Sequence, residues 1–356
     1  MVVGVNVPIV TLICSYDIIF LTWALAFIRL HKINWFASYL DNRLQCVCCN
    51  GALSDLEVIK FGVPQGSNLG PLLFLIYIND LPNVSSTLFF ILFADDTNVF
   101  HSHKSLDSLF KTVNEELSLV ADWFCANRLT LNLEKTNFII FKSHRKSMPL
   151  ANQMSLVING VPITQVITTK FLGVYVDQHL TWKEHIKNIS NKIAKNVGII
   201  ARSSYLLPQT IRIKLYYSLI FPYLTYCNVV WASNYESRLS RLVILQKRAI
   251  RVVARVSSRE HTGPIFSRLK ILNIEQIKTF QVGEFMYKYH HGLLPLAFRG
   301  FFKLGTEIHS YFTRNAGAYR PPFARSNTRL FSIKHVGSLM WNKIPPYIQL
   351  LPNVRI

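Results

Sequence analysis

Acidic residues are scarce in the second half of this chain. Its 356 residues include 39 Lys and Arg against 19 Asp and Glu, which gives a formal net charge of +20. The net charge is −3 over residues 1–100 but +21 over residues 181–356. Such a basic region favours a polyanionic partner, either a nucleic acid or an anionic membrane surface, and charge alone does not separate the two.

Cysteine is also sparse, and its spacing does not suit a metal site. Among the six cysteines, Cys46, Cys48 and Cys49 lie too close together for a zinc ribbon, and no second Cys or His pair completes one. We therefore expect the reduced cysteines of an intracellular protein. Half of the residues are hydrophobic, which excludes a disordered tail, and the length allows two or three domains.

Charge is nearly absent from residues 2–28, where Asp17 is the one charged residue. This segment is long enough to cross a bilayer, but it lacks the basic start of a signal peptide, and Asp17 near its middle would be costly in lipid. Pro8 and the mixture of β-branched and aromatic residues also fit a buried strand or helix. A third alternative is an unrelated or truncated start without its own fold. We expect no membrane attachment.

Two adjacent carboxylates, Asp95 and Asp96, stand in an otherwise apolar stretch from Leu92 to Phe100. An unpaired charge in apolar surroundings costs several kcal/mol, so something positive should meet it, and a divalent cation is one candidate. The alternative is a turn between two strands, since Asx residues are common in turns. Apolar runs on both sides of the pair predict a hairpin with the two carboxylates at its tip.

Apolar residues at helical spacing predict three long helices, two of them basic and located after Trp182. A loop over residues 62–71 precedes a shorter helix that Pro71 opens. We place a domain boundary near residue 180. The predicted helices cover residues 33–40, 72–79, 105–127, 182–205 and 237–257, and the predicted strands cover residues 44–47, 58–61, 88–94, 98–100 and 170–176. Residues 132–141 are predicted to form a turn that runs into a strand.

Several motifs stand together in a fixed order along the chain. Their order and spacing resemble those of the reverse transcriptases of non-LTR retrotransposons, of the LINE/jockey-like type. The N-terminal motifs are Asn34–Arg43, Gly62–Pro82, Phe93–Thr97, Ala126–Thr136 and Phe171–Asp177, and the C-terminal ones are Tyr226–Trp231, Leu245–Val252 and Met340–Pro345.

The resemblance implies an α/β fold and a polymerase function. Residues 31–180 would form a partial polymerase palm of the right-hand reverse transcriptase fold, and residues 181–356 a mainly α-helical basic thumb and C-terminal region; the status of residues 1–30 is left open. The implied function is RNA-directed DNA polymerase by two-metal nucleotidyl transfer, with Mg²⁺ or Mn²⁺ as cofactor. An RNA template, a DNA primer or RNA–DNA hybrid, and dNTPs are the implied partners. The family is expected in a cytoplasmic ribonucleoprotein, in the nucleus, or in both.

The resemblance also assigns roles to individual residues. Asp95 and Asp96 would hold the metal ions, and Lys135 would neutralise or protonate the leaving pyrophosphate. The residues alone are also compatible with purely structural roles. These are a loop that caps the Pro71 helix, a solvated Lys135, a core strand at residues 171–173, and solvated faces on the basic helices after Trp182. The other implied sites are the template and nucleotide loop with Pro64, Gln65, Gly66 and Phe93, the primer grip with Phe171, Leu172 and Gly173, and the nucleic-acid backbone contacts Lys247, Arg248, Arg251 and Arg255.

The chain departs from the family pattern at a third catalytic carboxylate, which stands upstream of the motif that contains Trp35. Asp17 is the one acidic residue before Asp41, but its sequence context differs and it lies too close to Trp35. Followed upstream, the resemblance stops near residue 31, without fingers or an endonuclease. We therefore expect a truncated copy that is inactive or nearly inactive on its own. The competing hypothesis is a non-catalytic remnant that binds RNA or DNA.

Overall fold

The computed structural model describes residues 1–10, 31–59, 63, 66–143, 155–308 and 317–351. The chain divides into two compact units, Met1–Thr169 and Lys170–Ile356, slightly upstream of the boundary chosen near residue 180. Asp17, Pro64 and Gln65 lie outside the described residues.

The first unit is a mixed α/β structure. Its strands and helices, in chain order, are β1 (Val2–Val10), α1 (His31–Leu40), β2 (Leu44–Gln45), β3 (Cys48–Cys49), β4 (Ala52–Leu53), β5 (Glu57–Val58), α2 (Leu69–Tyr77), β6 (Phe89–Phe93), β7 (Asp96–Ser102), α3 (Leu106–Ala126), β8 (Thr130–Leu131), β9 (Asn137–Phe141), β10 (Val157–Ile158), β11 (Val161–Pro162), β12 (Thr164–Gln165) and β13 (Thr168–Phe171).

The N-terminal strand β1 lies in the middle of the main sheet. The strand order is β12-β9-β1-β7-β6, with β8 also paired to β1, and only the β12–β9 pair is parallel. Val3, Val5 and Val7 alternate along β1 and are buried, as expected for a strand with one face on a core. Of the three alternatives for this segment, the buried strand describes Val2–Val10.

Helix α3 supplies the other side of this core. The predicted amphipathic helix is confirmed, because the residues at helical spacing face inward and pack with β1, β7 and β9. The ring of Phe110 meets that of Phe138 on β9 edge to face, with centroids 5.9 Å apart. The buried residues of α3 are Leu109, Phe110, Val113, Leu117, Val120, Ala121 and Phe124.

The single strand predicted over residues 170–176 is wrong. The structure has a hairpin there, in which β13 ends at Phe171 and β14 (Val174–Asp177) follows a tight turn at Leu172 and Gly173. Both turn residues have positive φ, 44° and 85°. That pair of conformations suits a two-residue hairpin turn, and glycine adopts it without strain.

The second unit is mainly helical. After β14, its helices are α4 (Lys183–Ser203), α5 (Gln209–Leu219), α6 (Phe221–Thr225), α7 (Asn228–Trp231), α8 (Glu236–Ala254), α9 (Thr262–Leu269), α10 (Ile274–His290), α11 (Asn327–Leu330), α12 (Ile333–Trp341) and α13 (Pro346–Gln349). No helix of the described residues is both long and apolar enough to cross a membrane.

The two long basic helices, α4 and α8, pack against each other through the predicted apolar stripes. Ile193 and Val197 on α4 and Leu242 and Ile250 on α8 are among the most buried residues of the unit, and Trp231 of α7 completes the core. A second cluster joins α10 and α12 around Met286 and Trp341. The helices predicted over residues 182–205 and 237–257 are therefore confirmed.

His185, in the first turn of α4, is a buried neutral histidine. Its Nδ1 accepts a hydrogen bond of 3.4 Å from the backbone N–H of Tyr175, and its ring meets Trp231 edge to face. Burial, and then the nearby charge of Lys192, lower the pKa of His185 to about 4. The neutral form is therefore the one that the folded chain accommodates.

This lowered pKa predicts a loss of stability in acid. Because the unfolded chain binds a proton near pH 6.5 and the folded chain does so only near pH 4, the free energy of unfolding should fall as the pH drops below 6.5. We expect this difference in the pKa of His185 to lower the free energy of unfolding by about 2 kcal/mol between pH 7 and pH 5. Urea denaturation of the wild type and His185→Gln at both pH values measures it. An equally steep pH dependence in the variant would contradict the prediction.

Candidate active site

The β6–β7 hairpin carries the two adjacent carboxylates at its tip. The turn is formed by Ala94, with φ 50°, and Asp95, and Asp96 begins β7 directly opposite Phe93. Asp95 is exposed and Asp96 is half-buried. The hairpin predicted from the sequence is therefore confirmed, and its two ends bring both carboxylates to one edge of the sheet.

Neither carboxylate of this pair has an ion-pair partner among the described residues. Among the described residues, neither side chain accepts a hydrogen bond. Because the two carboxylates are adjacent, their negative charges also repel each other. Residues along β7 alternate between two faces, so Thr97 and Val99 point toward the core and Asp96 lies on the opposite face. A cation could therefore approach the pair from the face that α3 does not cover.

The strand next to this tip carries no carboxylate. In the β1–β7 register, Pro8 pairs with Asp96 and Val7 with Thr97, so β1 ends beside the acidic turn. All nine residues of β1, VVGVNVPIV, lack an acidic side chain. Among the described residues, no three His, Cys, Asp or Glu side chains are grouped closely enough to hold a metal ion.

The turn that contains Lys135 lies at the same end of the sheet. Asn6 pairs with Asn137 at the start of β9, two residues before Pro8 reaches Asp96 along β1. The turn is fixed by its own hydrogen bonds, because the backbone N–H of Lys135 donates to the backbone oxygen of Asn132 at 3.2 Å. Lys135 itself is exposed. The structure thus brings Lys135 to the same sheet edge as the carboxylates.

An asparagine row behind this edge was missed by the sequence reasoning. Asn6 pairs with both Asn98 and Asn137, so three amides lie side by side across β7, β1 and β9. The Asn137 amide donates to the carbonyl of Lys135 at 3.1 Å, which holds the Lys135 turn. The Oδ1 atom of Asn6 is buried without a hydrogen-bond partner in the described part of the chain. Asparagine inside an otherwise valine-rich strand was the available signal.

Of the predicted template and nucleotide loop, Gly66 and Phe93 are described. Gly66 has φ 81° and open space where a side chain would begin. The next residue, Ser67, accepts a hydrogen bond of 3.0 Å from the N–H of Gly70, which caps the start of α2. This capping bond and the positive φ of Gly66 both fit the alternative of a tight loop that caps the helix. Phe93 is 60% exposed at the end of β6.

The predicted primer-grip residues form the turn of the β13–β14 hairpin. The hydroxyl of Tyr226 donates to the carbonyl of Leu172, and a side chain at Gly173 would come within 3.4 Å of the Tyr226 ring. Phe171 ends β13, whereas Leu172 and Gly173 make the turn, so the plain core-strand alternative does not describe these two residues. Gly173 is needed here for both its positive φ and the close Tyr226 ring.

The predicted backbone-binding residues lie on the C-terminal part of α8. Lys247, Arg248 and Arg255 are exposed, and Arg251 is half-buried with its Nε donating to the carbonyl of Glu260 at 2.8 Å. Arg255 ends the helix in the left-handed conformation, with φ 55°. The structure therefore leaves three of the four cations in full contact with solvent.

Comparison with known proteins finds similarity over the part of the chain that contains the hairpin tip. Residues 15–176 match the family described as reverse transcriptase (RNA-dependent DNA polymerase). The resemblance to the reverse transcriptases of non-LTR retrotransposons is therefore confirmed. The match begins at residue 15 and includes Asp17 and the Asp95–Asp96 pair, so the expectation that the resemblance stops near residue 31 was wrong.

Individual relatives come from mobile elements of flies. The chain is 27% identical to the "Probable RNA-directed DNA polymerase from transposon X-element" of Drosophila melanogaster, over 61% of this chain and 24% of that protein. It is 28% identical to the "RNA-directed DNA polymerase from mobile element jockey" of the same species, over 66% of this chain and 26% of that protein. The chain is 25% identical to the "RNA-directed DNA polymerase from mobile element jockey" of Drosophila funebris, over 72% of this chain and 28% of that protein. The chain thus spans only about a quarter of the length of these relatives.

Proposed function

We propose that the sheet edge with Asp95, Asp96 and Lys135 is the active site of an RNA-directed DNA polymerase. The observation that carries the proposal is the carboxylate pair at the hairpin tip, which has no cationic partner among the described residues. Adjacent negative charges without a partner are costly, and a bound divalent cation offsets that cost.

The donor chemistry at the tip fits Mg²⁺ or Mn²⁺, which prefer carboxylate oxygens. Asp95 and Asp96 would hold the cation from the uncovered face of the sheet. When bound, such a cation stabilises the attacking 3′-oxygen and the leaving pyrophosphate. Since β1 supplies no carboxylate beside the tip, the described residues offer two protein ligands where the family has three. We therefore expect slow turnover by this chain on its own.

The remaining roles follow from the residues that surround the tip. Lys135, held on its fixed turn, would place a positive charge or a proton near the leaving pyrophosphate. The Gly66 loop allows close backbone approach by the template or nucleotide. Residues 31–180 would form the partial palm, and the hairpin with Phe171, Leu172 and Gly173 would form the primer grip.

The helical second unit would act as a thumb that holds the RNA–DNA hybrid. Lys247, Arg248 and Arg255 project from α8 into solvent, where they can neutralise phosphates without reading base sequence. Their charge is matched by few acidic residues, since residues 181–356 have a net charge of +21. An RNA template, a DNA primer and dNTPs would be the partners of the whole protein.

Primer extension on an RNA template tests this function. We expect slow incorporation of dNTPs that depends on Mg²⁺ or Mn²⁺ and that falls about 100-fold or more in Asp95→Asn, because the loss of a cation ligand removes several kcal/mol of transition-state stabilisation. Asp122 is an exposed aspartate near the C-terminal end of α3, and Asp122→Asn is the matched control, which should extend like the wild type. Equal incorporation by Asp95→Asn and the wild type would refute the assignment of this site.

The thumb assignment makes a separate prediction on salt dependence. Replacing both Lys247 and Arg248 with Gln should weaken hybrid binding and reduce the slope of log Kd against log salt by about 2, roughly 0.9 for each lost phosphate contact. Fluorescence anisotropy with a labelled RNA–DNA hybrid measures this slope. Lys278→Gln with Lys288→Gln is the control pair, since both lysines pair with glutamates on α10. An unchanged slope in the α8 variant would place the hybrid elsewhere.

A further inference from the structure

A concave surface in the second unit combines positive charge with phenylalanine rings. It encloses about 320 Å³ between the segments 300–308 and 320–323 and the helices α11 and α12. We name it the Phe323 pocket. Its charged and aromatic lining consists of Lys303, Arg320, Arg329, Lys334, Phe301, Phe302 and Phe323.

The charge of this pocket has one sign. Four cations line it and no acidic residue does. Across residues 301–356 the sequence has eight Lys and Arg against a single acidic residue, Glu307, which lies outside the lining. Lys303, Arg329 and Lys334 are exposed, so their charges are available to a ligand from solvent. Such a pocket selects an anion with several charges.

Phe323 presents its ring to solvent, and the rings of Phe323 and Phe301 already lie against cations. Phe323 is 74% exposed, and the guanidinium of Arg325 sits 5.3 Å from its ring centroid. The ammonium of Lys334 lies 4.1 Å from the ring centroid of Phe301. A flat, exposed ring flanked by cations is suited to stacking with a nucleobase while the cations meet its phosphates.

The floor beneath this surface is rigidly built. Tyr319, Phe302 and Trp341 are buried below it. The Asn342 side chain binds both backbone groups of Tyr319, accepting at 3.0 Å and donating at 2.8 Å, and the N–H of Arg320 donates to the carbonyl of Lys303 at 2.9 Å. Two consecutive prolines, at positions 321 and 322, then fix the backbone that leads into Phe323. The backbone that leads to the ring is therefore constrained before any ligand arrives.

We propose that the Phe323 pocket binds a single-stranded segment of nucleic acid, with a base stacked on Phe323 and phosphates held by Arg329, Lys334 and Lys303. A second hollow of about 320 Å³ adjoins it at Gly300 and includes Arg299. Two adjoining hollows suit a chain of nucleotides better than a single one. A duplex hides its bases in the stack, so exposed aromatic rings favour single strands. This binding is separate from the chemistry at Asp95.

Fluorescence anisotropy of the full chain with a labelled single-stranded 12-mer RNA tests the proposal. Phe323→Ala should weaken binding about tenfold, because a lost base–aromatic stack is worth about that factor, whereas Phe323→Tyr should bind like the wild type. A duplex of the same sequence should bind Phe323→Ala and the wild type equally. Binding of the 12-mer by Phe323→Ala within twofold of the wild type, or an equal loss for the duplex, would overturn the proposal.

The charge component is tested with paired variants and a second polyanion. Arg329→Gln with Lys334→Gln should lower the slope of log Kd against log salt by about 1.4 for the 12-mer, whereas the exposed pair Lys214→Gln with Lys343→Gln should leave it unchanged. An equal reduction in both pairs would reveal a diffuse charge effect and overturn a local site. Loss of binding to phosphatidylserine vesicles in Phe323→Ala, with unchanged 12-mer binding, would assign the pocket to membrane lipid and also overturn the proposal.

Discussion

Substitution of Val5 by Asp unfolds the first unit of the chain. Val5 is 1% exposed in β1, between β7 and β9, and it faces the core that α3 covers. The variant must either bury a carboxylate among Val and Phe side chains or give up both ladders of the central strand. The expected loss is on the order of 4 kcal/mol or more, a large part of the stability of a typical domain.

Limited proteolysis with mapped cleavage sites measures this loss unit by unit. In Val5→Asp, we expect rapid cleavage within residues 1–169, while peptides of the helical second unit stay protected. Leu119→Asp is the control, because Leu119 is 48% exposed on α3 and its replacement should leave both units protected. Equal protection of Val5→Asp and the wild type would show that residues 2–10 take no part in the sheet.

Substitution of Arg212 by Met has the second largest expected effect. Arg212 is 4% exposed in α5, and its Nε donates to the carbonyl of Val253 at 2.8 Å. Its Nη1 donates to the carbonyls of Ser204 and Leu207, so one side chain joins the ends of α8 and α4. Methionine fills a similar volume but leaves three carbonyls without this donor. We expect a loss of about 3–5 kcal/mol.

Thermal and urea unfolding followed by far-UV circular dichroism detect this change, because the second unit holds most of the helices described. Arg259→Met is the matched control, since Arg259 is exposed and should tolerate the substitution within about 0.5 kcal/mol. A loss of less than 1 kcal/mol in Arg212→Met would mean that water replaces the guanidinium at these carbonyls.

Arg212 also shows where the sequence was insufficient. In the sequence it contributes to the basic excess of residues 181–356, like the exposed Lys247 and Arg248 of α8. Its burial depends on how α4, α5 and α8 meet, which no local pattern encodes. The helices themselves were predictable, because apolar residues recur along α3, α4 and α8 at the spacing that brings them to one face.

Strands were harder to predict than helices because their partners are distant in sequence. The Asp95–Asp96 hairpin was predictable, since its two strands are adjacent and the polar pair stands between apolar runs. The position of β1 was not, since its partners β7 and β9 lie about a hundred residues or more away. The alternation of Val3, Val5 and Val7 with Gly4 and Asn6 was a signal for a strand with one buried face.

The β13–β14 hairpin illustrates the opposite difficulty. The run Phe171–Val176 is apolar apart from its glycine, and an apolar run is compatible with either one strand or two. Only the positive φ values of Leu172 and Gly173 reveal the turn. In contrast, the Phe323 pocket joins residues from several separate segments, so its cations and rings could be recognised as a group only in the fold.

Mn²⁺ binding at the hairpin tip, followed by electron paramagnetic resonance, tests the polymerase assignment most directly. The full chain is titrated with Mn²⁺ in the presence of an RNA–DNA hybrid and the complementary dNTP. The assignment predicts a bound Mn²⁺ that is lost in Asp95→Asn and in Asp96→Asn and retained in Asp122→Asn. The same amount of bound Mn²⁺ in all four proteins would contradict it, because the carboxylate pair would then hold no cation.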